Sequence, residues 1–343
     1  LQQPETAPPV PAELCFEVST RIAADGSLLE QADQNELEQL VCDLQASGVE
    51  SVAINLLFSI LSPAEERHIA GQLGDTWFVS CSSDILPEVR EYERGMATWL
   101  NASVGPVISN YLQRLQTRLP KAGIAVMQSA GTTIAADQAA HQAVRLLLSG
   151  PAGGLAAARS LGQQAGTPRL MSFDMGGTST DVALLNGDIP LTSQSRISNW
   201  PLSIPSVDIH TIGAGGGSIA RVDPAGMLLV GPESAGASPG PVCYDQGGKQ
   251  LTVTDANVVL GRIPANTLLG GYLPLDAQAA QEAMEKLAVD MGCDVLEAAH
   301  GVVRLANEHM ARALRVISVE RGYDPADYAL LCFGGAGGLH ACD

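Results

Sequence analysis

The run Phe173-Asp174-Met175-Gly176-Gly177-Thr178-Ser179-Thr180-Asp181-Val182 limits this chain more than any other feature. An apolar stretch ends in Asp, turns through two glycines and hydroxyl residues, and resumes as a second apolar stretch. That is the pattern of a β-hairpin with an exposed backbone turn. Glycines let a phosphate come close to backbone N–H groups, and the hydroxyls of Thr178 and Thr180 add donors. Asp174, at the strand end, can hold a hydrated Mg²⁺ beside that phosphate. Two glycines alone would mean no more than a tight hairpin. The Asp and the hydroxyls set around them point to an anion.

Two further glycine runs follow. In Leu331-Cys332-Phe333-Gly334-Gly335-Ala336-Gly337-Gly338 a buried strand feeds a turn that should open a helix. Gly334, Gly335 and Gly337 suit a nucleoside or phosphate cradle, or equally the close packing of a strand on a helix. In Val207-Asp208-Ile209-His210-Thr211-Ile212-Gly213-Ala214-Gly215-Gly216-Gly217-Ser218, strand alternation puts Asp208 and His210 on one face. A carboxylate and an imidazole so placed can bind a metal or share a proton, and the plainer alternative is a His satisfied by a carbonyl. The glycines Gly213, Gly215, Gly216 and Gly217 look like a third loop for an oxyanion or phosphate. Asp255, in Thr252-Val253-Thr254-Asp255, reads as a helix N-cap. His300 and His309 fall on a helix, solvated or satisfied in the core, and His141 and His340 carry no spacing signal. There is no Walker-type loop and no nucleophile elbow, and neither Cys243 nor Ser234 has a local partner that would mark it as a nucleophile.

Charge narrows the choice of ligands. The formal net charge is −18, which disfavours nucleic acid and anionic membrane surfaces. An anionic ligand must be held by local N–H groups and bound cations. With 343 residues, 46% of them hydrophobic and 16% charged, the chain can build a large core in two or three domains. The seven cysteines are scattered without CxxC spacing, which argues for small core hydrophobes in a reducing, cytoplasmic setting. No run approaches the roughly 18 apolar residues of a membrane span.

Periodicity orders the rest. An extended segment covers 1–12 and a helix lies near 34–47. A buried strand covers Ser51–Phe58. A capping box at Ser62-Pro63-Ala64-Glu65 opens a second helix, and Thr76–Ser80 is a strand. This alternation implies an α/β layer. Residues 92–118 are helical with Pro106 as a kink or break, Gly123–Gln128 is a strand, and 152–164 an Ala-rich helix. Residues 168–230 are strand-rich and 231–250 form a long irregular loop. Asp276 caps a helix to about Met291. Asp294 caps another to Arg321, with Gly322 after it and a buried stripe of Val295, Ala299, Val302, Ala306, Met310, Ala313 and Ile317. Tyr328–Phe333 is a buried strand. The Pro-rich start without Met, and an end inside a glycine turn, suggest a piece of a longer polypeptide.

These motifs resemble, in order, the hydantoinase A/5-oxoprolinase family: FDMGGTSTDVALLNGD, VDIHTIGAGGGSIARVD, VGPESAGASPGPVCYDQGG, LTVTDANVVLGR and FGGAGGLHA, with SSDILPEVREYERGMATWLNASVGPVISNYL and LLLSGPAGGLAAA upstream. The resemblance covers nearly the whole chain from about residue 15. It implies an α/β, actin/hexokinase-like (ribonuclease H-like) ATPase fold with an incomplete N-terminal half and most of the second half. Residues 1–95 would be the remainder of an N-terminal α/β domain, and 96–343 the hydantoinase A core domain. The implied activity is ATP-dependent activation of a cyclic amide, such as a hydantoin or 5-oxoproline, for ring opening. The alternatives are the ATP-binding subunit of an acetone or acetophenone carboxylase, or a nucleotide-binding module without chemistry. The implied cofactors are ATP and Mg²⁺, with a second divalent metal in the substrate region as an option, and the implied partner is a hydantoinase B-like subunit or domain. Carried onto this chain, Asp174, Gly176, Gly177, Thr178 and Thr180 match the second phosphate loop, and Gly334, Gly335 and Gly337 the nucleoside loop. Asp208 and His210 match a motif near the substrate or metal region, where both would be catalytic and, with Asp174, metal ligands. One departure stands out: nothing upstream of Asp174 supplies the Asp-Gly-Gly-Thr loop with which family members begin.

Overall fold

The computed structural model describes residues 8–197 and 200–343, so the first part of the extended segment expected over 1–12 lies outside the described residues. The chain divides into two compact units: Leu1–Gly153 with Leu191–Val207, and Gly154–Pro190 with Asp208–Asp343. These units follow contacts and do not coincide with the division at residues 95 and 96 read from sequence. No helix among the described residues is long and apolar enough to cross a membrane.

In the first unit, helix α1 (Gln34–Ser47) starts where Asp33 accepts the Glu36 N–H at 2.9 Å and stops at Gly48, whose φ is 70°. Strand β1 (Ser51–Ile54) pairs in parallel with β2 (Phe78–Cys81), with α2 (Ala64–Leu73) as the crossover. The strand expected to reach Phe58 stops at Ile54, and Phe58 itself sits at φ 60°. No side chain caps α2. The expected capping box does not form, because the Glu65 carboxylate instead accepts from Gln31 Nε2 at 2.8 Å. Helix α3 (Glu91–Arg118) runs on through Pro106 rather than breaking there. Gly105 lies so close to the Phe78 ring that any Cβ would overlap it.

A buried polar network ties this unit together. The Glu66 carboxylate, fully buried, accepts from Ser82 Oγ (2.6 Å), Ser83 Oγ (2.7 Å) and the N–H groups of Ser83 and Leu56 (both 2.9 Å). Arg94, equally buried, donates to Ser82 Oγ, Asn55 Oδ1 and the carbonyls of Glu88 and Leu56. Every charge here is matched by donors or acceptors, which is what permits its burial.

The second unit is built on a four-stranded sheet. Strands β3 (Arg169–Met175) and β4 (Thr180–Asn186) form the expected hairpin. Beside β4 lies β5 (His210–Ile212), antiparallel, and beside β3 lies β8 (Ala329–Phe333), parallel, giving the order β5-β4-β3-β8. A second hairpin joins β6 (Ser218–Val222) and β7 (Leu228–Ser234). One sheet face carries Met171, Phe173, Met175, Val182 and Leu184. It shares a core with the helices α5 (Val253–Val259), α6 (Ala277–Met291) and α7 (Val295–Ile317). The stripe expected on α7 is buried from Ala299 to Ile317 and partly buried at Val295, and Asp294 accepts the Glu297 N–H at 2.8 Å. The helix ends at Ile317, and a 3₁₀ turn, Val319–Arg321, leads to Gly322 at φ 82°. Against the other face lies α4 (Ser149–Gln164), whose Gly154 and Gly162 meet Phe333 and Leu170 too closely for a Cβ.

Replacing Glu66 by Ala leaves buried donors from four groups without an acceptor. We expect it to destabilise the chain by about 3 kcal/mol or more, read by urea denaturation.

Candidate functional site

The hairpin turn is Gly176–Ser179, closed by the Gly176 N–H donating to Ser179 O at 3.0 Å. Gly177 and Thr178 are exposed. Among the described residues no acceptor meets the N–H groups of Gly177, Thr178 or Ser179. Three unengaged donors on one short turn are the chemistry an anion site needs.

Asp174 stands next to this turn. In the parallel register it lies opposite Phe333, and in the antiparallel register opposite Asp181. Among the described residues no donor reaches its carboxylate, whereas Asp181 accepts from Thr211 Oγ1 at 2.5 Å. Partial burial, and then the Asp181 charge, hold Asp174 above the ordinary carboxylate range. Two like charges opposed across a ladder repel one another. An unpartnered carboxylate in that position suits a divalent cation, so the residues present fit Mg²⁺.

The turn at Gly334 closes over Asp174. Gly334 has φ 86°, and a Cβ there would overlap the Asp174 carboxylate, so only glycine allows this approach. The Ala336 N–H donates to Met175 O at 2.9 Å, which docks this turn on the end of β3. Gly335 is exposed with open space beside it. Gly337 differs from both. It is buried, and a Cβ would stand 2.6 Å from Cys332 Sγ, so close packing by itself requires glycine there. Within the residues present, the turn leads into a short 3₁₀ segment, Gly337–Leu339, rather than into a long helix.

The third glycine run corrects the sequence reading. From Gly215 on, its N–H groups are engaged inside the protein: Gly215 donates to Ser218 Oγ (2.8 Å), Gly216 to Gly176 O (3.0 Å), Gly217 to Gly177 O (2.6 Å) and Ser218 to Gly215 O (3.0 Å). Gly215, Gly216 and Gly217 therefore buttress the Gly176–Ser179 turn, with their own N–H groups already engaged. Glycine is required because a Cβ on Gly215 or Gly217 would come within 2.7–2.9 Å of the Gly177 backbone. Gly213 abuts Pro232 instead. Thr180 is corrected as well: its hydroxyl is buried and donates to Ala214 O at 2.6 Å, fastening the hairpin to the buttress.

Asp208 and His210 do not share a strand face, because the β5 ladder begins only at His210. The Asp208 carboxylate is taken by Arg321, at 2.6 and 3.3 Å, 113 residues away in sequence. His210 lines a shallow surface cavity with Ile212, Leu305, His309 and Arg312. Among the described residues no three or more His, Cys, Asp or Glu side chains form a group able to hold a metal. Asp181 is legible from register alone, since a four-residue turn over 176–179 places 174 opposite 181, whereas the free Ser179 N–H carries no signal in the sequence.

This arrangement can be set against known proteins. Residues 94–343 match the hydantoinase/oxoprolinase family, and residues 2–75 match its N-terminal region. The chain belongs to the hydantoinase/oxoprolinase family. It is 37% identical to caprolactamase subunit alpha of Pseudomonas jessenii, over 96% of this chain and 49% of that protein. With 5-oxoprolinase 1 of Arabidopsis thaliana it shares 37% identity over 90% of this chain and 26% of the relative. The nucleotide-free structure of acetone carboxylase, from work on ATP-dependent acetone carboxylation, superposes with a TM-score of 0.82 at 30% identity. It covers 98% of this chain and 49% of the acetone carboxylase chain. The chain thus spans about half or less of these relatives' length. Its fold is the mixed α/β, actin/hexokinase-like fold of the family.

The raised Asp174 proton affinity has a definite sign. The folded state binds that proton more tightly than the unfolded chain, so Asp174 costs stability increasingly as the pH rises from the ordinary carboxylate value to its raised one, in full above that, and the cost is gone below the ordinary value. Asp174→Asn is therefore expected to stabilise the ligand-free protein at neutral pH, by about 0.2–1 kcal/mol, read by thermal melts.

Proposed function

We propose that this chain is the ATP-handling part of an enzyme that activates a cyclic amide by phosphorylation so that water can open the ring. The observation that carries this reading is the Gly176–Ser179 turn, with three unengaged N–H groups beside the unpartnered Asp174 carboxylate. An amide carbon resists water because nitrogen feeds electron density into the carbonyl. Transfer of the terminal phosphoryl group of ATP to the amide oxygen makes that oxygen a leaving group, and water then completes the hydrolysis with release of phosphate. Catalysis of such a transfer is mostly positioning and charge stabilisation.

In this reading the N–H groups of Gly177, Thr178 and Ser179 receive phosphate oxygens, and Gly334 and Gly335 pass close to the nucleoside. Asp174, with Asp181 opposite it, holds Mg²⁺, which when bound neutralises phosphate charge. Arg321 keeps Asp208 and the start of β5 in place without touching substrate. The word "subunit" in the caprolactamase relative's name supports a partner, here a hydantoinase B-like subunit or domain. Seven free cysteines support a reducing, cytoplasmic compartment. The likeness to acetone carboxylase favours one second reading, a subunit that phosphorylates a ketone for carboxylation, since the ATP step would be the same.

The test is phosphate release from Mg²⁺-ATP by the full-length polypeptide with its partner. Lactams, hydantoin and 5-oxoproline are compared with ketones plus bicarbonate. Release that depends on a cyclic amide is expected. Release that depends on a ketone moves the assignment to the carboxylase reading, and nucleotide binding without release under any substrate sinks the enzyme reading. The 343-residue chain by itself, with its one Asp-Gly-Gly-Thr-like turn, is expected to turn over little or no ATP. Steady-state phosphate release matching the full-length polypeptide would contradict this.

A further inference from the structure

Helix α5 has seven residues, yet it is anchored more heavily than its length requires. Thr252 caps it, and Asp255, three residues on, closes a capping box. Asp255 is thus the N3 partner and not the N-cap expected from sequence. Its fully buried carboxylate accepts from the Thr252 N–H and hydroxyl (both 2.8 Å) and from the N–H groups of Cys243 (2.8 Å) and Val242 (3.2 Å). Four donors on one buried carboxylate fix the start of this helix firmly.

Both faces of that anchor reach the ligand turns. The Thr254 N–H and hydroxyl both donate to Gly216 O, at 2.7 and 2.8 Å. Gly216 in turn donates to Gly176 O, and its neighbour Gly217 to Gly177 O, so Thr254 lies two hydrogen bonds behind the phosphate turn. Further along, Asn257 Nδ2 stands 3.2 Å from His340 Nε2, and His340 Nδ1 is 2.7 Å from Asn307 Oδ1. Asn257 donates and Asn307 accepts, which makes His340 the neutral Nδ1–H tautomer. Burial, with Arg262 nearby, pushes its pKa down to about 4. Arg262 donates to Leu339 O at 3.0 Å. One eleven-residue stretch, 252–262, therefore grips the buttress of the phosphate turn and the far side of the Gly334 turn.

We propose that α5 is a brace shared by the two nucleotide turns, and that Thr254 is a positioning residue that sets the N–H groups of the phosphate turn through Gly216. This rests on the nucleotide reading above, and the test separates the two. In the full-length polypeptide, Thr254→Val removes the hydroxyl at nearly constant volume and Thr254→Ser keeps it. Without ligand, T254V is expected to speed amide hydrogen exchange at Gly216 and Gly217 about five- to tenfold, the loss of roughly one hydrogen bond. Mg²⁺-ATP affinity should fall by a similar factor and adenosine affinity by less than twofold, because only the phosphates feel the turn. T254S should restore both.

Unchanged exchange in T254V overturns the brace. Equal losses for ATP and adenosine overturn the positioning role. If the wild type binds neither ligand, the nucleotide reading fails and exchange alone decides the brace. Should T254V not fold, T254S must bind ATP within twofold of wild type, and a tenfold loss there overturns the proposal.

Discussion

Two hydrogen bonds between glycines hold the candidate site: the N–H groups of Gly216 and Gly217 donate to the carbonyls of Gly176 and Gly177. By tying up two carbonyls of the Gly176–Ser179 turn, they fix the peptide units that carry the N–H groups of Gly177 and Thr178. A peptide unit presents its N–H and C=O on opposite sides, so fixing one side aims the other. A side chain on Gly217, or on the adjoining Gly215, would push the two backbones apart, because a Cβ there would stand 2.7–2.9 Å from the Gly177 backbone. The glycine content of the region follows from backbone meeting backbone, not from flexibility.

The sheet gives those contacts their precision. Strand β3 is flanked by β4 and β8, its apolar face shares the α5–α7 core, and its other face receives α4 through Gly154 and Gly162. A strand held on both edges and both faces has little freedom at its end, and Asp174 and Met175 occupy that end. Sites built on such elements keep their geometry better than sites on free loops. Met175 shows the economy of the arrangement: its side chain is fully buried in the core while its carbonyl receives Ala336 from the second turn.

What could be read from the sequence was the part encoded locally. The hairpin at 173–182 announced itself by alternation and turn residues, and the stripe on α7 by its period, because each signal lies within one element. The packing roles of Gly215–Gly217 and Gly337 are not legible in the sequence for a physical reason. A glycine that receives a ligand and a glycine that receives another backbone leave the same letter in the sequence. The ion pair of Asp208 is not legible either, because its partner, Arg321, arrives from 113 residues away. Asp255 was placed at a helix start correctly but one role off, since Thr252 three residues earlier takes the cap. The network of Glu66 with Ser82 and Ser83 also escaped notice, as its members come from separate elements.

Charge explains why the site relies on backbone. A chain with a net charge of −18 repels a polyphosphate, and the Asp174–Asp181 pair adds repulsion at the point where the phosphates would sit. N–H dipoles attract an anion at short range without adding charge, and their orientation costs nothing at the moment of binding when it is already fixed. The carboxylate pair works in the opposite direction until a cation joins it. On the nucleotide reading proposed above, neither ion alone would find a favourable site: the cation would lack a full ligand set, and the phosphates would meet two carboxylates. Each ion would complete the site for the other, so an acidic protein of this design would select the metal–nucleotide complex over its separate parts.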